Sequence, residues 1–145
     1  MSVQHSPLSP NRRELLDCVV DAWTGAEHDA DDEEIRRLLA DDVVLVLVGV
    51  AEPDRLGKRA VAAWQREQVA NALHERDVQV ERLYGWASVL DDAVRECRVT
   101  GRLFGLPGCG RRVCYRLRRL FELRDDRVTR LTVWPDLDAL AAQLA

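Results

Sequence analysis

RRVCYRLRRLFELRDDRVTRLTVWPD, residues 111–136, is the stretch on which the fold turns. Val113, Tyr115, Leu117, Phe121 and Leu123 fall on odd positions with one charged residue among them, Arg119, while Arg112, Arg116, Arg118 and Glu122 fall on even positions. Alternation with period two is the signature of a strand with one face buried. Asp125-Asp126 breaks the pattern where a hairpin would turn, which predicts strands over 111–123 and 127–135. Working towards the N-terminus, the run Gly105-Leu106-Pro107-Gly108-Cys109-Gly110 and the pair Asp91-Asp92 read as two further breaks and predict strands over 94–104 and 78–90. Leu137, Leu140, Ala141 and Leu144 return to helical spacing after the last strand.

The N-terminal half has a different period. From Asn11, read as an N-cap, Leu15, Leu16, Val19, Val20 and Trp23 recur at helical spacing up to Gly25, which has the position of a helix stop. Ile35, Leu38 and Leu39 mark a shorter helix whose first turn is loaded with Asp31 to Glu34, as the helix dipole favours. Val43 to Val48 is an unbroken aliphatic run of strand length, and Val61, Trp64, Gln68 and Ala72 line a third helix beginning at Lys58. Helices first and long antiparallel strands afterwards predict an α+β domain over residues 11–145, preceded by a flexible arm over 1–10.

Composition narrows the function. A chain of 145 residues that is 47% hydrophobic has enough apolar material for one sizeable core. The formal net charge of −4 opposes nucleic-acid binding, and no aromatic ladder interleaves with the arginines on their own strand face. No apolar run reaches bilayer length and no signal-like N-terminus precedes the helices, so a soluble cytoplasmic protein is expected, without membrane contact. His5, His28 and His74 are scattered and the four cysteines lack a CxxC pair, so no metal site is expected. Of the 21 basic residues only Lys58 is a lysine. The rest are arginines, whose planar fork suits paired or enclosed sites.

Two features carry chemistry. Arg119 stands on the apolar face of its strand, and Arg95 shares parity with Cys97 and Val99. An enclosed guanidinium needs a carboxylate, a carbonyl or a ligand anion beside it, or a bulge that turns it outward. Trp134 and Asp136 share parity on the last strand. An aspartate against an indole in an apolar cavity is a candidate general acid/base, and the same Asp136 is equally a favoured cap for the helix at Leu137.

The order of elements, together with Leu39-Ala40-Asp41-Asp42-Val43-Val44, Gly57-Lys58-Arg59-Ala60-Val61, Thr100-Gly101, the Gly105-to-Val113 turn, Phe121-to-Val128 and Trp134-Pro135-Asp136-Leu137, resembles the SnoaL-like polyketide cyclases of the NTF2-like superfamily. The resemblance implies a cone in which three helices pack on a strongly curved, mainly antiparallel sheet around an apolar pocket. It also implies a homodimer or higher homo-oligomer through the outer sheet face. Asp136 matches the family's acid/base aspartate, which serves a cofactor-free intramolecular aldol cyclisation of a hydrophobic, oxygenated polyketide-type intermediate. Trp23, Trp64, Tyr115, Phe121 and Trp134 are the expected pocket lining, with Arg119 or Arg95 polarising a carbonyl. Limonene-type epoxide hydrolases share the fold and give a second expectation. A non-catalytic small-molecule-binding module is a third.

Overall fold

The computed structural model describes residues 9–29 and 32–145. The expected flexible arm lies outside these residues up to position 8. Helix α1 spans Pro10–Asp29, α2 Asp32–Leu38, α3 Lys58–Asn71 and α4 Leu137–Leu144. The strands are β1 Leu39–Leu47, β2 Arg55–Leu56, β3 Ala72–Tyr84, β4 Ser88–Val99, β5 Arg102–Leu103, β6 Leu106–Pro107, β7 Arg111–Arg124 and β8 Arg127–Pro135. Six strands form one sheet in the order β2-β1-β8-β7-β4-β3, with β1 and β8 parallel and the other pairs antiparallel. Leu16, Val20 and Trp23 of α1 and Val61 and Trp64 of α3 join Leu45, Leu117, Phe121, Leu131 and Val133 of the sheet in one core. The α+β class with a mainly antiparallel sheet is as expected, whereas α3 follows β1 and β2 and α4 brings the helices among the described residues to four. Among the described residues no helix is long and apolar enough to cross a membrane.

Helix α1 departs from expectation at both ends. Ser9, rather than Asn11, caps it: the Arg12 amide donates to Ser9 Oγ at 3.3 Å, and Pro10 occupies the first turn, where its missing N–H costs nothing. At the other end the helix runs through Gly25 to Asp29. A glycine inside a helix costs about 1 kcal/mol relative to alanine. That cost is outweighed by what the extra turn brings, burial of Ala26 and the ion pairs of Glu27. Glu27 therefore belongs to the last turns of α1.

Asp91-Asp92 does not turn the chain. The hairpin between β3 and β4 lies at residues 85–87, and both aspartates sit inside β4. The strand tolerates them because each carboxylate is neutralised by arginines: Asp91 by Arg82 and Arg119, Asp92 by Arg116 and Arg118.

Bulges in β8 and β3 decide which side chains point inward. In β8, Leu123 faces Val128 and Glu122 faces Arg130, so Thr129 is one residue more than β7 can match. Its hydroxyl donates to the Glu122 carbonyl at 3.1 Å. The extra residue reverses parity, as any single insertion in a period-two pattern must. Val128 is buried before it and Leu131, Val133 and Pro135 after it. Trp134 and Asp136 consequently point to the outer side, against the expectation. In β3 the register shifts between His74 and Arg76 and again between Gln79 and Glu81.

Candidate active site

The inner face of the sheet and helices α1 and α3 line a pocket of about 520 Å³, a volume that includes the open solvent at its mouth. Its walls are largely apolar and aromatic, with Trp23, Trp64, Phe104, Tyr115, Leu117 and Val133 among them. Phe104 is held there by backbone geometry. It and Gly105 both take positive φ, 49° and 81°, in the two-residue turn between β5 and β6. That turn lays the Phe104 ring against Trp64 and edge-on to Tyr115, with centroids 6.4 and 6.3 Å apart. The little hairpin is anchored at Gly108, where a Cβ would lie 2.2 Å from Val99 Cγ1 and 2.4 Å from the Val99 carbonyl.

One wall is charged. Arg95 and Arg119 line the cavity and are only 7% and 3% exposed. Arg95 grips two carboxylates at once. Its Nε and Nη2 donate to Asp77 at 3.0 Å each, and its Nη1 and Nη2 donate to both oxygens of Glu27. Arg119 Nη1 donates to the same Glu27, and its Nη2 donates to Thr24 Oγ1 at 3.0 Å and to Asp91 at 2.9 Å. Arg82 closes the series, donating from Nε to Asp91 at 2.9 Å and from Nη1 to Asp17 at 2.8 Å. Forked guanidinium–carboxylate pairs are the arrangement that repays burial of both charges.

Burial alone would raise the Glu27 carboxyl, but Arg95 and Arg119 outweigh it and hold the group below the usual carboxylate range. Asp77 follows the same balance, with burial opposed by the hydrogen bond from His74 and by Arg95, and it too lies well below that range. Both are fixed as anions. Burial pushes the Cys97 thiol up to about 11 and raises the Tyr115 phenol further, so both are neutral.

His74 adds a group of another kind. It lines the cavity and its Nε2 lies 2.9 Å from Asp77 Oδ1. The bulge after His74 makes this possible. His74 pairs across to Cys97 and Asp77 to Arg95, so the two residues face inward together although three positions separate them. An imidazole oriented by a half-buried carboxylate, which is itself locked by a guanidinium, is the arrangement of an activated acid/base. Among the described residues no three histidine, cysteine, aspartate or glutamate side chains converge to hold a metal ion.

Set against expectation, Arg95, Arg119, Trp23, Trp64 and Tyr115 are brought together at the cavity. Phe121 is not part of its lining. It is fully buried beneath it, edge-on to Trp23 with centroids 6.5 Å apart. Trp134 and Asp136 border a separate outer depression with Arg116, Arg118 and Pro135. Asp136 is exposed and caps α4, accepting from the Ala139 amide at 3.1 Å. Glu27, His74, Asp77 and Asp91 are functional candidates the sequence reading does not reach. Glu27 has a signal, since Leu16, Val20, Trp23 and Glu27 continue one helical stripe past Gly25. Without a bulge signature, strand parity has none for the pairing of His74 with Asp77.

No family model and no curated protein sequence matches the chain. Solved structures do. An LEH-like epoxide hydrolase from M. tuberculosis superposes with a TM-score of 0.71 at 21% identity, over 93% of this chain and 92% of that one. A candidate SnoaL-like polyketide cyclase from Jannaschia sp. CCS1 superposes with a TM-score of 0.78 at 18% identity, over 99% and 97%. A protein from Catenulispora acidiphila with a ketosteroid isomerase-like fold gives 0.70 at 16% identity, over 87% and 91%. Together with the helices packed on a bulged, mainly antiparallel sheet, these likenesses show that the chain has the NTF2-like, or ketosteroid isomerase-like, fold.

Proposed function

We propose that the protein is an acid/base enzyme acting on a hydrophobic, oxygenated small molecule of polyketide type, and that its reaction is an intramolecular aldol ring closure in the inner cavity. The observation that carries the reading is the His74–Asp77 pair at the wall of an aromatic cavity, fixed by Arg95. In this scheme His74 takes a proton from the carbon beside a carbonyl, and the resulting enolate carbon bonds to a second carbonyl carbon. The new alkoxide then recovers the proton. The substrate's own carbonyls carry the carbanion, so acid/base groups and a carbonyl-polarising donor such as Arg119 suffice. Asp136, on the outer side, caps α4 and has no part in this scheme.

A second reading, epoxide hydrolysis, is favoured by the Glu27–Arg95–Asp77 bridge, a carboxylate–guanidinium–carboxylate unit. It ranks below the first because Arg95 holds both carboxyls ionised, which leaves neither with a proton to give to an oxirane oxygen. Self-association through the outer sheet face is part of the proposal, supported by Leu73, Val78, Val80 and Leu83, large apolar side chains exposed on edge strand β3.

The test uses β-tetralone, whose α-protons exchange slowly in heavy water. The native protein is expected to accelerate deuterium uptake, His74→Gln to abolish the acceleration, and Asp136→Asn to retain it. Acceleration that survives His74→Gln and disappears with Asp136→Asn overturns the assignment. Incubation with styrene oxide in oxygen-labelled water separates the second reading, because only a hydrolase releases labelled diol. Absence of both reactions leaves a binding module.

A further inference from the structure

The cavity wall also specifies what kind of molecule it takes. Three buried polar atoms on it, Trp64 Nε1, Gln68 Oε1 and Arg119 Nε, have no protein partner among the described residues. Trp64 and Arg119 are 6% and 3% exposed, so these are enclosed donors and not groups idling in water. A buried donor left without an acceptor costs about 1–3 kcal/mol. A ligand that supplies the acceptor recovers that cost as affinity and selectivity. Trp64 and Gln68 stand one helical turn apart on α3, four residues from each other, so an N–H donor and a carbonyl acceptor lie side by side on one face.

Charge gives the second constraint. Behind the cavity three guanidiniums, Arg82, Arg95 and Arg119, interlock with three carboxylates, Glu27, Asp77 and Asp91. Arg95 already spends four hydrogen bonds on Glu27 and Asp77. Among the described residues, both guanidiniums on the wall are matched by carboxylates, and an incoming carboxylate would be desolvated beside Glu27.

We infer that the cavity selects a neutral ligand with an apolar body that carries a carbonyl-type acceptor directly beside an N–H or O–H donor, read by Trp64 Nε1 and Gln68 Oε1, and that it rejects the corresponding anion. The inference rests on the cavity being the substrate site, as proposed above, but is independent of which reaction follows.

Naphthamide, naphthoate and acetonaphthone make the test, since they share one apolar body and carry, respectively, acceptor plus donor, acceptors with a negative charge, and an acceptor alone. Binding is followed at neutral pH by calorimetry and by the indole N–H signals in a correlation NMR spectrum, with Trp64 assigned from Trp64→Phe. Naphthamide is expected to bind and to shift the Trp64 indole signal, and naphthoate to bind at least about a hundredfold more weakly. Trp64→Phe and Gln68→Leu are each expected to weaken naphthamide about tenfold, and Gln68→Leu to leave acetonaphthone unchanged. Naphthoate shifting the Trp64 signal with equal affinity overturns the inference while leaving the cavity as the site. If no probe shifts the Trp64 signal, both fall.

Discussion

Replacing Glu27 by glutamine keeps the shape of the side chain and removes its charge, and it probes the linchpin of the charged wall. Glu27 accepts three hydrogen bonds from two guanidiniums, Arg95 and Arg119, each less than a tenth exposed. Removing one partner of a buried ion pair costs about 3–5 kcal/mol, because the remaining charge stays desolvated. The upper half of that range is expected here, since both arginines lose a partner, and Asp77 and Asp91 supply the remainder. In a domain of this size each kcal/mol lowers the melting temperature by roughly 3 °C, which gives a drop of about 12–15 °C. Urea unfolding followed by tryptophan fluorescence should show a midpoint lower by about 2 M with an unchanged slope. The control is Asp42→Asn, which breaks a pair with Arg124 whose side chains are 66% and 62% exposed and should cost no more than about 0.5 kcal/mol. Equal costs for the two variants would refute the claim that Glu27 holds the buried network together.

Further predictions follow from the same contacts. Asp136→Ala should cost about 1 kcal/mol through loss of the α4 cap, measured by urea titration, whereas Asp136→Asn, which keeps a capping oxygen, should stay near the native value. Because Glu27 and Asp77 have depressed folded-state values, their contribution is complete above about pH 5 and is lost as pH falls below about pH 4, with Glu27→Gln showing a shallower acid decline in thermal melts. Iodoacetamide at neutral pH should alkylate the exposed Cys18, Cys109 and Cys114 and spare Cys97, which is 2% exposed with its thiol pushed up to about 11; a mass spectrum counts the labels.

Much of the fold was legible because its period is strong. Val113, Tyr115, Leu117 and Phe121 keep one parity with Arg119 among them, which leaves an ion pair, a ligand partner or an outward bulge open, and the fold supplies buried pairs with Glu27 and Asp91. Arg95 shares parity with Cys97 and Val99 and is likewise buried at the cavity wall. Parity fails wherever one extra residue enters a strand, and no local composition announces Thr129 as that residue. The single insertion sends Trp134 and Asp136 outward, and a similar one in β3 brings His74 and Asp77 together inside. Asp91-Asp92 misled for a different reason. A pair of aspartates favours a turn locally, yet four arginines distant in sequence make a strand tolerable there, and only the tertiary fold assembles them. Gly25 is similar, a local stop signal overridden by the buried pairs of Glu27.

The central claim is that chemistry occurs in the inner cavity beside His74 and not on the outer side beside Asp136. A crystal structure of the protein soaked with β-tetralone measures this directly. The account predicts the ring between Trp23, Trp64 and Tyr115, with its α-carbon against the His74 imidazole. A molecule seated in the depression beside Trp134 and Asp136, with the cavity empty, would contradict it.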